Sequence, residues 1–163
     1  MNNLTAVTSA TLIPIKNKNV IQYQDKIDIQ NIPILEDNFG RKFEYLRLSI
    51  TDSCNFRCNY CLPDGMDCNG EREFLSIDEI KTLVTSFARL GVKKVRITGG
   101  EPGLRKDLVD IIRTCKQIDG IEKVALTTNG FNLSRNAESW AIAGLDAINV
   151  SMDTPLCVSV VVA

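Results

Sequence analysis

Apolar and polar positions along this chain follow two periods. Between Tyr45 and Ile50 they alternate, with Leu46, Leu48 and Ile50 on one face and Tyr45, Arg47 and Ser49 on the other. A period of two predicts a strand. From Ile77 to Leu90 the apolar residues Ile77, Ile80, Leu83, Val84, Phe87 and Leu90 recur at helical spacing. Ser76 and Glu79 have the spacing of a capping box that opens this helix, and Gly91 stops it. A second amphipathic helix is expected from about Lys106 to Gln117, with Leu108, Ile111, Ile112 and Cys115 on one face. A third is expected from about Ser134 to Ala143, with Ala137, Trp140 and Ala141 inward.

One unit repeats between these helices. Gly91–Ile97 (GVKKVRI), Gly120–Leu126 (GIEKVAL) and Gly144–Val150 (GLDAINV) each read as a helix-stopping glycine followed by a short strand. Strands alternating with helices predict βαβ units and a parallel sheet. Each strand runs into a polar or glycine-rich turn: Thr98–Pro102, Thr127–Gly130 and Ser151–Asp153. Ligands of parallel α/β folds bind at that carboxyl edge. Val95, Ile97, Val124, Leu126, Ile148 and Val150 supply an apolar face for covering helices. The opposite face carries Arg47, Ser49, Arg96, Thr98, Ala125, Thr127, Asn149 and Ser151. A filled barrel core would use bulky aliphatic residues there. Arginine, threonine, serine and asparagine favour an enclosed polar, anionic ligand over a face left open to solvent.

Composition narrows the chemistry. The chain has 163 residues, a length suited to one domain with a real core. Its net charge of −1 provides no general field for nucleic acid. No apolar run is long enough to span a bilayer, and the N-terminus lacks the pattern of a secretory signal. Histidine is absent, which removes imidazole catalysis and every zinc site that needs imidazole. Residues 1–34, rich in Asn, Gln, Thr and Lys, are expected to form a flexible, loosely packed leader.

Three of the six cysteines, Cys54, Cys58 and Cys61, stand at C-x3-C-x2-C spacing directly after the first strand. Thiolates so close together can converge on one metal centre, which suits a reducing cytoplasm better than disulfide pairing does. A four-iron cluster held by three thiolates keeps one iron open to a non-protein ligand. A structural zinc site needs a fourth ligand, and Cys68 is the candidate for one. Both readings stay open on the residues alone. Cys115 reads as core, and Cys68 and Cys157 as incidental to a cluster.

The motif C-x3-C-x-Y-C resembles the cluster motif of radical S-adenosylmethionine (SAM) enzymes. The flanking run from Arg41 through Gly65 resembles more narrowly the GTP 3′,8-cyclase family of molybdenum cofactor biosynthesis, and the likeness extends from about Leu35 to Thr154. The resemblance implies a partial (β/α) radical SAM barrel of about four parallel strands and three helices. It implies a [4Fe–4S] cluster on Cys54, Cys58 and Cys61, with SAM contacted at Tyr60, Gly100 and Ser151 and GTP at Arg47, Arg96 and Thr127. It also implies a reducing electron donor, a downstream cyclic pyranopterin monophosphate synthase and a homodimer as partners. No catalytic side chain is assigned, since cluster and SAM carry the chemistry. The family continues beyond the fourth strand to a region holding a second cluster, which this chain is expected to lack. Residues 155–163 depart from the family pattern and read as an apolar tail that leaves the fourth strand with an unpaired edge. Weak turnover of GTP, or a truncated product without function, follows as an expectation.

Overall fold

The computed structural model describes residues 34–58, 61, 74–152 and 158–162. Apart from Ile34, the expected leader lies outside the described residues. The elements run β1 Tyr45–Ser49, α1 Ile77–Arg89, β2 Lys94–Thr98, a short 3-10 turn Pro102–Leu104, α2 Leu108–Lys116, β3 Lys123–Thr128, α3 Leu133–Ile142, β4 Ala147–Met152 and β5 Val158–Val162. They form one sheet in chain order, β1-β2-β3-β4-β5. The first three pairings are parallel and the last is antiparallel. Four parallel strands with three helices are the α/β arrangement that the alternating pattern predicts.

The register explains why the core sits where it does. Leu48 pairs with Ile97, Val95 with Val124, and Ile97 with Leu126, so apolar residues form continuous rows across the strands. Those rows meet Ile80 and Val84 of α1, Leu108, Ile111, Ile112 and Cys115 of α2, and Trp140 of α3 in one buried cluster. Residues between them on the strands, Arg96, Ala125 and Thr127, are only half-buried, and Arg47 is exposed. The sheet therefore has one helix-covered apolar face and one polar face, as its period of two requires.

Local chemistry sets the element ends. The Ser76 hydroxyl accepts from the Glu79 N–H, while the Glu79 carboxylate accepts from the Ser76 N–H at 2.8 Å, completing the capping box. The Ser76 N–H, and then its hydroxyl, donate to the Glu79 carboxylate and hold it below the usual carboxylate range. The three repeat glycines, Gly91, Gly120 and Gly144, have φ of +95°, +92° and +104°. Gly91 and Gly144 directly follow the C-caps of α1 and α3, and Gly120 lies in the turn between α2 and β3, all in the left-handed region that residues with a Cβ avoid.

Three expectations are corrected. α2 begins at Leu108 rather than Lys106, because the 3-10 turn after Pro102 and the extended backbone of Arg105 occupy the preceding residues. Ala141 is exposed rather than inward. α3 enters the core through Trp140, and the next residue lies well around the helix from it. Finally, β4 has no open edge: Val158–Val162 pairs with it, placing Val150 opposite Val160 and Ile148 opposite Val162. A β-branched run has high strand propensity, and an open edge offers unpaired N–H and C=O groups to it. No helix among the described residues is long and apolar enough to cross a membrane.

Ile111 is fully buried between α2 and the strands. Its replacement by alanine is expected to cost about 2–5 kcal/mol, read from urea unfolding followed by circular dichroism.

Candidate functional site

The carboxyl ends of β1, β2 and β3 run into turns that hold one another. Pairing of β1 with β2 continues past both strands. The Ile50 N–H donates to the Thr98 carbonyl at 3.0 Å, the Gly100 N–H to Thr51 at 2.8 Å and the Glu101 N–H to Ser53 at 2.7 Å. The segment leading into Cys54 is therefore an extension of the sheet, laid against Gly99 and Gly100. The approach is close. A Cβ on Gly99, whose φ is +142°, would lie 2.2 Å from the Thr51 carbonyl oxygen. One on Gly100 would lie 2.3 Å from that of Ser53 and 2.6 Å from that of Asp52. Only glycine fits at either position. Paired glycines read in the sequence as a means of approach to a ligand; what approaches them here is the backbone that carries the cysteines.

Glu101, between those glycines and Pro102, has no solvent access. Its carboxylate accepts from the Gly103 N–H at 2.7 Å, the Thr128 hydroxyl at 2.7 Å and the Asn129 N–H at 2.6 Å. Asn129 in turn donates from Nδ2 to Oδ1 of Asn55 at 2.9 Å. Asn55 directly follows Cys54, so the turn after β3 reaches the cysteine motif through a carboxylate in the turn after β2. Sequence reasoning misses Glu101. The available signal is an acid set inside a Gly-Gly-Glu-Pro turn at a strand end, where two glycines already announce close packing.

Cys54 and Cys58 are half-buried and Cys61 is exposed; all three carry thiols rather than disulfides. The Phe56 N–H donates to the Cys54 sulfur at 3.4 Å, and the Cys61 N–H to the Cys58 carbonyl at 2.9 Å. Among the described residues, no three thiol or carboxylate groups converge on a metal-sized point. Tyr60, Cys68 and Cys157 lie outside the described residues.

On the polar face, Arg47 and Arg96 are register partners across β1 and β2. Arg96 donates from Nη1 to the Thr127 hydroxyl at 3.3 Å, and its guanidinium carbon lies 5.9 Å from the centroid of the Tyr45 ring. Among the described residues its Nε is buried with no hydrogen-bond partner. An unsatisfied donor on a charged group is costly, so this one calls for an acceptor that the described residues do not supply. Ser151 is exposed near the end of β4. The structure thus brings Gly100 against the cysteine stem and Arg96 against Thr127 beside Arg47. It places Ser151 on the last parallel strand, at the same sheet edge. Cys115 belongs to the core, where burial pushes its thiol up to about 11.

The chain matches the family model of the radical SAM superfamily over residues 48–156. It is 66% identical over 120 residues to a GTP 3′,8-cyclase of Psychromonas ingrahamii, covering 74% of this chain and 35% of that protein. It is 58% identical over 121 residues to the GTP 3′,8-cyclase of Tolumonas auensis, covering 74% and 36%. The enzyme of that name from Actinobacillus pleuropneumoniae is 53% identical over 143 residues, covering 87% and 39%. The chain spans a little over a third of the length of these curated relatives. Among solved structures, BtrN in complex with AdoMet and 2-DOIA superposes with a TM-score of 0.56 at 17% identity, covering 72% of this chain and 48% of that one, a likeness of fold. These matches do not favour the zinc alternative.

Two outcomes follow from the site's packing. Gly100→Ala is expected to displace the Asp52–Ser53 backbone and to cost roughly 1–3 kcal/mol, read from urea unfolding. At about pH 8 a thiol reagent is expected to label Cys54, Cys58 and Cys61 in the folded chain but not Cys115, until denaturant is added. Because its folded value is raised from 9.0 to about 11, burial of Cys115 stabilises the fold fully below that range. The contribution is lost as pH rises through it, the unfolded thiol ionising first.

Proposed function

The chain belongs to the radical SAM superfamily, and on that premise we propose that its carboxyl-edge turns serve GTP 3′,8-cyclisation, the first step of molybdenum cofactor biosynthesis. The observation that carries the reading is the joining of three features at one sheet edge. They are a stem bearing three thiols, a Gly-Gly turn packed against it, and a polar face with a buried arginine donor in need of an acceptor.

The donor set fits a four-iron cluster, since three soft thiolates without histidine suit iron and sulfide. Cys54, Cys58 and Cys61 would hold the cluster. When bound and reduced, it would supply the electron for reductive cleavage of SAM, the radical chemistry on which the proposed cyclisation of GTP draws. The chain's own part is to bind, orient and exclude water. Gly100, packed against the cysteine stem, would lie beside the methionyl end of SAM, with Tyr60 and Ser151 as further contacts. Arg47 and Arg96 offer guanidinium forks to the anionic nucleotide, and Thr127 holds Arg96 in place. The reading includes a reducing electron donor, a downstream cyclic pyranopterin monophosphate synthase, a homodimer and a cytoplasmic location. Full turnover of GTP draws on the remaining length of the relatives.

Anaerobic reconstitution with iron and sulfide tests the reading. About four irons and four sulfides per chain are expected, with the broad visible absorption of a cluster. Cys58→Ala should abolish uptake and Cys115→Ala should leave it intact. Zinc bound without sulfide, or uptake indifferent to Cys58, would overturn the proposal.

A further inference from the structure

Arg105 lies between the 3-10 turn and α2, and no role assigned above falls to it. Its side chain is only 11% exposed. Nη1 donates to two carbonyl oxygens, Ile50 at 2.9 Å and Leu75 at 3.0 Å. These two residues bracket the segment 51–74, which carries Cys54, Cys58 and Cys61. Ile50 lies in the sheet-bound approach to the cysteines, and Leu75 immediately precedes Ser76, the N-cap of α1. Nε and Nη2 of the same guanidinium hold the two oxygens of Asp107, at 2.9 and 2.5 Å. Asp107 stands at the N-cap position of α2 yet makes no side-chain cap bond. Its carboxylate is turned instead toward Arg105, and that hydrogen bond holds its carboxyl below the usual range. The Phe74 ring lies 5.9 Å from the guanidinium carbon.

We infer that Arg105, oriented by Asp107, is a positioning residue that ties together the two stems of the cysteine-bearing segment and so sets the geometry in which its thiols meet a metal centre. A planar guanidinium can satisfy a carboxylate with one edge and two carbonyls with a third nitrogen. An ammonium, a point charge on a flexible stem, cannot hold all three at once. Tying both ends of a segment removes much of the conformational freedom that its middle must otherwise lose when the thiols converge. The consequence for a cluster rests on the function proposed above; the tie itself is a property of the chain without one.

The test combines two measurements on wild type, Arg105→Met, Arg105→Lys and Asp107→Asn. The first is amide hydrogen exchange of the metal-free chain. In Arg105→Met, exchange at residues 50–54 and 75–76 is expected to speed up about tenfold relative to wild type, as loss of two charge-assisted bonds implies, while β3 and α3 keep their rates. Arg105→Lys should recover only part of the protection. The second is the rate at which a chelator strips iron from the reconstituted chain, expected to rise by a similar factor with the initial cluster absorption unchanged in form. Unchanged exchange at both stems, or acceleration spread evenly through α2, β3 and α3, would overturn the inference; so would loosened stems with iron loss at the wild-type rate. If Arg105→Met does not fold, Asp107→Asn carries the same comparison with a smaller expected change. If wild type takes up no iron and sulfide, the proposed function fails and with it the positioning role, while the exchange data still decide whether Arg105 ties the stems.

Discussion

The carboxylate of Glu101 is sealed from solvent and accepts hydrogen bonds from a turn of its own strand and from the turn after the next. Its own N–H reaches a third segment, donating to Ser53 just before Cys54. A buried carboxylate is tolerable only where donors surround it, and here the donors are the Gly103 and Asn129 backbone and the Thr128 hydroxyl. Gly103 and Asn129 lie in turns beyond the strands, and Thr128 ends β3; Glu101 ties the three together. The strands make the edge, and the carboxylate makes the edge one object. A neutral amide in its place would meet Gly103, Thr128 and Asn129 with at most one acceptor oxygen, leaving buried donors unpaired.

The division of the sheet into two faces determines what that edge can serve. Helices seal one face with Ile80, Val84, Ile111, Ile112 and Trp140. The other keeps a paired Arg47 and Arg96, a threonine bonded to the second arginine, and a buried guanidinium nitrogen with no partner among the described residues. Thiols stand at the end of that same sheet, on a stem packed so closely against Gly99 and Gly100 that no Cβ fits between. Soft donors for a metal and cationic donors for an anion are thus both built onto one rigid frame, which is what a reaction joining a metal-bound cofactor to a nucleotide requires.

Much of this was legible in the sequence because it depends on local period. Alternation at Tyr45–Ile50 and the three glycine-led repeats place the parallel strands, and all three glycines are left-handed, Gly91 and Gly144 at helix ends and Gly120 in the turn after α2. The capping box at Ser76 and Glu79 is a four-residue signal and forms as read. Thr127 shares a face with Ala125 because strand residues two apart must, and Ala125 is the register partner of Arg96. What the sequence hides depends on distance and on competition. Glu101 finds Thr128 and Asn129 across a helix and a strand, and a glutamate in a turn looks like any solvated acid. Arg105 reads as a surface charge until the carbonyls of Ile50 and Leu75 are placed around it. β5 escapes notice because five residues at Val158–Val162 carry too little pattern to assign them, and their partner is set by which edge stands open.

The central claim is that three thiols on this edge hold a cluster with one iron open to SAM. Electron paramagnetic resonance of the reconstituted, reduced chain tests it most directly, recorded before and after SAM is added. The account predicts the signal of a reduced [4Fe–4S] cluster whose g values shift when SAM binds the open iron. A cluster signal indifferent to saturating SAM would contradict it.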